Sequence, residues 1–213
     1  MKIISLNTGI SKTVTWRGKD VKTGIFKSPV DRPIFLGKTD VVNDDVVDRR
    51  FHGGTDKAVY AYSADHYPFW KKSYPNLEWN FGMFGENLTV LGMDESKMLI
   101  GSIYKLGEAE VQVCQPRQPC FKLGIRFGTQ SVLKQFVSSP YPGVYFRVLK
   151  SGNVKKDDVL ELLKEEPDSP SILEVYKLMC HKQTDNNMST QKVLNCQYLP
   201  ASCKEIILSV QTR

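Results

Sequence analysis

Glycine and proline divide the first 166 residues into short runs, and that punctuation restricts this part of the chain largely to short strands joined by turns. Lys2–Ser5, Thr13–Trp16 and Ile34–Leu36 are β-branched or aromatic, and Gly18, Gly24, Pro29 and Pro33 interrupt them. Strand character returns at Leu88–Leu91, Ser102–Leu106, Glu110–Cys114 and Val144–Leu149, with a hairpin expected about Gly107. Ala58–Lys72 differs, because its apolar residues have helical spacing. Ser63 is placed there as an N-cap, with a short helix over Ala64–Lys71 that ends near Pro75. Gly128–Phe136 predicts a second helix.

A boundary is expected at Pro167–Asp168–Ser169–Pro170. Beyond it, Ser171 is suited to cap a helix, and Ile172, Val175, Tyr176, Met179 and Cys180 repeat at i, i+3, i+4, i+7 and i+8. Thr184–Ser189 reads as a polar loop, followed by short helical stretches at Thr190–Asn195 and Ala201–Leu208. The expected fold is mainly β with α (α+β): a core over residues 1–166 and a small three-helix unit over 167–213.

The apolar stretches Lys97–Ile103 and Glu205–Val210 are far shorter than the roughly 20 residues of a membrane span. Met1–Ile10 lacks a signal-peptide pattern, so a cytoplasmic location without a membrane partner is expected. The five cysteines are odd in number and scattered, which suits neither a disulfide framework nor a CxxC metal site. Most are expected to be inert core thiols. The net charge of +6 lies before Leu163, since residues 163–213 hold six Lys/Arg and six Asp/Glu. Such a basic core suits an anionic cofactor, and the absence of long Lys/Arg runs argues against a nucleic-acid stripe.

Four segments could carry chemistry. In Gln115–Pro116–Arg117–Gln118–Pro119–Cys120–Phe121–Lys122, two prolines hold the chain away from helix. Arg117 and Lys122 flank Cys120 there, and nearby cations favour thiolate, which is both a nucleophile and a soft metal ligand. The alternative is a buried structural cysteine beside two surface cations. His52–Gly53–Gly54–Thr55–Asp56–Lys57 could turn backbone N–H groups toward an anion, with His52 and Lys57 adding donors, or could be an ordinary glycine turn. In Gly82–Met83–Phe84–Gly85–Glu86–Asn87, Glu86 and Asn87 could hydrogen-bond the edge of a heterocycle, and Asn87 could equally cap its own loop. Arg147 could fork onto a phosphate or lie on the solvent face of its strand. His66, His181 and the aromatic set Tyr60, Tyr62, Tyr67, Phe69 and Trp70 are read as packing and helix-surface residues.

Taken together, Thr23–Lys27, His52–Tyr62, Phe84–Leu88, Pro116–Lys122 and Tyr145–Val148 resemble the MOSC domain, the C-terminal domain of molybdenum cofactor sulfurases. The likeness is to the bacterial YiiM-like branch, whose core is followed by three helices. It implies a β-barrel-like core that binds the molybdenum cofactor (molybdopterin), a pterin dithiolene bearing phosphate. Cys120 falls at the metal-ligand and catalytic position. Arg117, Lys122 and Arg147 would hold the phosphate or balance the dithiolene charge. His52, Gly53, Gly54, Lys57, Glu86 and Asn87 would hold the pterin edge. The sequence departs from the family pattern at three Gly–Asp turns, which read Gly37–Lys38–Thr39–Asp40, Gly101–Ser102 and Lys156–Asp157–Asp158.

The activity implied by the resemblance is reduction of small N-hydroxylated compounds such as hydroxylaminopurines. No flavin- or nicotinamide-type glycine loop is present, so electrons would come from a partner reductase. The alternative is a non-catalytic carrier of the cofactor, or of sulfur as a persulfide on Cys120. Covering the core, homodimerisation and donor docking are all open roles for the three-helix tail.

Overall fold

The computed structural model describes residues 1–48, 52–181 and 187–212, with Asn187 described by its backbone alone. In chain order the strands before the first helix are β1 (Lys2–Thr8), β2 (Lys12–Trp16), β3 (Lys19–Thr23), β4 (Ser28–Val30), β5 (Ile34–Leu36) and β6 (Val59–Ser63). Next come α1 (Tyr67–Ser73), β7 (Leu88–Leu91), β8 (Ile103–Leu106), β9 (Ala109–Pro116), α2 (Phe121–Arg126) and α3 (Ser131–Ser138). The chain continues through β10 (Val144–Lys150), β11 (Gly152–Val154), β12 (Leu160–Lys164), α4 (Ile172–Cys180), α5 (Asn187–Asn195) and α6 (Ala201–Gln211).

Eight strands form one sheet in the order β12-β8-β9-β10-β6-β7-β1-β4. Every pairing is antiparallel except β6 with β7. The sheet curls until Lys2, at the start of β1, bridges Val159, next to β12. Ile3 N donates to Asp158 O at 2.9 Å and Leu160 N to Met1 O at 2.9 Å. This contact is a single bridge, so the core is barrel-like without a closed ladder. The β2–β3 hairpin turns at Arg17 and Gly18, whose φ angles of 50° and 75° match the twist of the flanking strands.

The strands expected at Ile34–Leu36 and Leu88–Leu91 have those bounds, the one expected at Ser102–Leu106 begins one residue later, and the others form in longer versions. The segment from Ala58 departs from its helical reading in its first half. Val59–Ser63 is a strand between β10 and β7, and all five of its residues are buried. A central strand covered on both faces has no polar alternation, so a continuous apolar run there imitates a buried helix. Helix follows as a 3₁₀ turn at Ala64–His66 and then α1. The expected Gly128–Phe136 helix is α3, shifted toward its C-terminus, and the separate helix α2 directly follows Cys120.

Ser171 caps α4 as a full capping box: its hydroxyl accepts from Glu174 N, and the Glu174 carboxylate accepts from Ser171 N. The apolar face of α4, with Val193, Cys196, Leu199, Cys203 and Ile207, joins the same core cluster as Val111, Val113 and Phe146 of the sheet. The C-terminal helices therefore cover the sheet directly. Of the expected polar loop at 184–189, residues 184–186 lie outside the described residues, and 187–189 open α5. A second, aromatic cluster includes Tyr62, Tyr67, Trp70, Phe84 and Phe136, and it backs the loop on which the candidate site is built. Among the described residues, no helix is long and apolar enough to cross a membrane.

Candidate functional site

Strand β10 fixes the site by its register. Tyr145 pairs with Gln115 of β9 on one side and with Tyr60 of β6 on the other. The chain leaves β9 at Pro116, and Pro119 leads into Cys120, which is extended (φ −114°, ψ 165°) before α2 begins. Cys120 is half-buried beside Arg117 and Tyr145.

These residues line an open cleft that also includes Thr23, Gly24, Lys27, Asp44, His52, Gly53, Lys57, Tyr60, Gly85, Asn87 and Lys122. Its empty space is about 620 Å³, open solvent at the mouth included. Close approach of backbone shapes the wall. A Cβ on Gly24 would stand 2.2 Å from Asp45 O, so only glycine fits there.

Arg117 is almost fully buried, with its guanidinium 4.8 Å from the centre of the Tyr60 ring. It donates to Phe84 O. Burial opposes its charge, yet Tyr60, Tyr145 and Cys120 beside it raise its pKa above the ordinary arginine value. Burial also pushes the Tyr60 and Tyr145 hydroxyls up, so both are neutral. His52 has its pKa lowered from 6.5 to about 4, by burial first and then by Lys122, Arg117 and Lys57. It is a neutral imidazole at pH 7, able to donate from one nitrogen and accept at the other.

Lys27 forms a buried ion pair with Asp44. Burial lowers the Lys27 pKa against the opposing pull of Asp44. Asp44 also accepts from Gly9 N at 2.9 Å and from Asn87 Nδ2 at 2.9 Å. Lys27, Lys57, Arg117 and Lys122 bring four cationic side chains to the cleft, against the carboxylates of Asp44 and Asp45. The excess is positive, and the cleft favours an anion.

The structure thus gathers His52, Gly53, Lys57, Asn87, Arg117, Cys120 and Lys122 at one cleft. Three residues expected there are placed differently. Gly54 bonds back to Thr39 O at 3.0 Å and is not part of the lining. Glu86 is fully buried behind the wall, where its carboxylate accepts from Gly82 N at 2.8 Å, Phe84 N at 3.0 Å, Thr89 Oγ1 at 3.0 Å and the Tyr67 hydroxyl. Burial raises its pKa. It organises its own loop, and its hydrogen bonds leave it turned away from any heterocycle edge. Arg147 is engaged beside the cleft and not in its lining: Nε lies 2.6 Å from Asp56 Oδ1, and one terminal nitrogen donates to Tyr198 O at 2.8 Å and Gln112 Oε1 at 3.2 Å. Its donors serve the junction with the C-terminal helices, away from the cleft lining.

Sequence reading missed Lys27, Asp44, Tyr60 and Tyr145 as site residues. Lys27 stood at the end of the Thr23–Lys27 run, the one signal that could have pointed to it. The other thiols are as expected. Cys114, Cys196 and Cys203 are buried, and burial pushes Cys203 up to about 12 and Cys180 up to about 11. His66 bonds Glu95 at 2.8 Å and stacks on Tyr141 at 4.0 Å, a packing role.

A barrel-like core with a cationic cleft around an accessible cysteine defines the class of protein. Residues 48–161, more than half of the chain, match the MOSC domain, and the chain belongs to that family. It is a YiiM-like member. It is 36% identical to the uncharacterized protein YflK of Bacillus subtilis over 99% of this chain and 95% of that one. It is 31% identical to protein YiiM of Escherichia coli over 78% of this chain and 74% of that one. The crystal structure of YiiM from Geobacillus stearothermophilus superposes with a TM-score of 0.80 at 33% identity, covering 99% of this chain and 98% of that one. A protein of Gibberella moniliformis named a reductase is 36% identical over 86% of this chain, which spans 32% of that longer protein.

Proposed function

We propose that this chain binds the molybdenum cofactor in the cleft and reduces small N-hydroxylated compounds with electrons from a separate reductase. The observation that carries the reading is the convergence of an accessible thiol with four cationic side chains and glycine-walled backbone in one cleft.

The residues present fit such a group. A thiolate suits a soft metal. Lys57, Arg117 and Lys122 suit a phosphate or the dithiolene charge. Gly24 and Gly53 line the cleft, Gly24 packed directly against Asp45 O, so backbone forms that part of its wall. Neutral His52 adds a donor and an acceptor without adding charge. Bound there, the cofactor would supply two-electron chemistry. The net reaction is R–NHOH + 2e⁻ + 2H⁺ → R–NH₂ + H₂O, in which the N–O bond breaks and oxygen leaves as water.

The protein's part is position and field. Cys120 would ligate the metal from a loop held by Pro116 and Pro119. Arg117 would keep its charge because the aromatic rings and the thiol beside it offset its burial. The Lys27–Asp44 pair, tied to Asn87, would hold the floor of the cleft. The reductase-named relative supports an oxidoreductase role and a separate source of electrons, since this chain spans only 32% of that protein.

The test is a reduction assay on hydroxylaminopurines and amidoximes, with an artificial electron donor, comparing wild type with Cys120→Ala. Turnover in the wild type and none in the variant is expected. Equal turnover in both would remove the role given to Cys120. A metal-free protein carrying labile sulfur on Cys120 would favour the sulfur-carrier reading instead.

A further inference from the structure

The β2–β3 hairpin is a cationic arm whose base is part of the cleft wall. Lys12 pairs with Thr23 at its open end, and Thr23, Gly24 and Ile25 line the cleft. Ser11 N donates to Oδ2 of Asp45, another lining residue, at 2.8 Å. Lys12 Nζ lies 3.8 Å from the centre of the Phe26 ring. The Arg126 guanidinium, at the end of α2, lies 5.1 Å from the same ring. One ring shared by two cations thus ties the arm to the helix that follows Cys120.

Stability explains little of this arm. It forms a two-stranded sheet of its own, and Thr23 is the one buried residue of its strands. A separate hairpin of this kind is marginal in water. Its charge is one-sided: Lys12, Arg17, Lys19 and Lys22 are exposed, against the single carboxylate of Asp20, which accepts from Thr15 Oγ1 at 2.9 Å. The arm therefore carries three of the six net positive charges of the chain. Among the described residues, none of its four cations forms an ion pair. Arg17 lies 5.9 Å from the ring centre of half-buried Trp16. An arginine–tryptophan pair with lysines around it suits a protein-binding surface.

We infer that the arm docks an acidic electron-donor protein beside the cleft. The inference rests on the functional reading above, and it adds the surface at which the electrons arrive. Charge selects the partner, because exposed cations without ion pairs attract a carboxylate-rich face and speed its approach. Position selects the partner's role, since the base of the arm is wall of the site where the electrons are used. The cations stand singly, with Asp20 among them, and do not make a stripe along duplex phosphates. Val14 and Val21 are half-buried, so the strands present no exposed apolar stripe to a lipid surface. A donor that carries one electron docks twice per turnover, and the two electrons are those of the N–O cleavage written above.

The probe is an acidic [2Fe–2S] ferredoxin, and the variant carries Arg17→Glu, Lys19→Glu and Lys22→Glu together. All three residues are exposed and none lines the cleft. Titration calorimetry is expected to show ferredoxin binding to the wild type at low salt, weakened by added salt and about tenfold or more weaker in the variant. Reduction of hydroxylaminopurine driven by reduced methyl viologen, a small donor that needs no docking surface, should be the same in both proteins. Reduction driven by reduced ferredoxin should fall with the affinity. Equal ferredoxin binding by the two proteins would overturn the inference, as would a wild type that binds none. An equal loss in Lys155→Glu/Lys156→Glu, exposed outside the arm, would also overturn it by reducing the effect to net charge. Loss of viologen-driven turnover in the variant would do so by making the arm part of the site. Wild-type binding to phosphatidylserine vesicles or a DNA duplex in place of ferredoxin, lost in the variant, would give the arm to another partner. Calorimetry needs no turnover, so a wild type that binds ferredoxin but is idle with viologen would count against the functional reading and leave the docking standing.

Discussion

Arg147 and Asp56 meet with Nε 2.6 Å from Oδ1, and the same guanidinium donates to Tyr198 O at 2.8 Å. One arginine thereby ties β10, the turn after Gly54 and the segment before α6. These bonds occupy its donors outside the cleft lining, and so separate the architecture of the fold from the chemistry of the site. Arg147→Met should destabilise the protein by about 1–3 kcal/mol, the range for a hydrogen-bonded charge that is mostly buried. Urea unfolding checks the stability, and elemental analysis should find molybdenum content unchanged. Loss of metal with full stability would return Arg147 to the cofactor site.

Lys27 and Asp44 are both largely buried, and the two halves of the pair are not equivalent. Asp44 keeps hydrogen bonds from Gly9 N and Asn87 Nδ2 if Lys27 is removed. Lys27 would be left as a buried charge without its carboxylate if Asp44 is removed. Asp44→Ala should therefore cost about 3–5 kcal/mol, and Lys27→Met clearly less. The unfolding free energies of the two variants, measured side by side, decide it.

His52 gives a pH signature. Its folded pKa is lowered from 6.5 to about 4. The unfolded chain therefore takes up a proton first as pH falls. Stability is unaffected by this group above about pH 6.5, declines as pH drops from 6.5 toward 4, and levels off below. The ring is only partly buried, so solvent screening reduces the loss to roughly 1 kcal/mol. His52→Gln should flatten this part of the profile. An unchanged slope in the variant would assign it to other groups.

Cys120 should be the first thiol modified in the native protein. Cys114, Cys196 and Cys203 are buried, and burial pushes the Cys180 thiol up to about 11. Mass spectrometry after brief iodoacetamide treatment should place the first adduct on Cys120. Pyrophosphate, an anion suited to the cationic cleft, should slow that reaction. First modification at another cysteine would contradict the geometry of the cleft.

Much of the fold was legible because glycine, proline and period-2 runs act locally. Ser171 ahead of an i, i+3, i+4 apolar run announced its helix in sequence, and the structure added Glu174 as the other half of a capping box. Val59–Ser63 was not legible, because burial on both faces erased the alternation that marks a strand. The site was legible where a motif is contiguous, as in Pro116–Lys122. Lys27 with Asp44 and Tyr60 with Tyr145 are partners across strands and loops, and spacing along the chain carries no trace of such pairs. Glu86 shows the converse. A carboxylate in a glycine loop suggested ligand binding, while four donors arriving from its own loop, Thr89 and Tyr67 made it structural.

The most direct test of the account is the molybdenum content of protein purified from a host that makes the cofactor, for wild type and Cys120→Ser. Stoichiometric molybdenum in the wild type, lost in a folded Cys120→Ser variant, is the predicted result. Metal-free wild-type protein, or equal molybdenum in both, would contradict it.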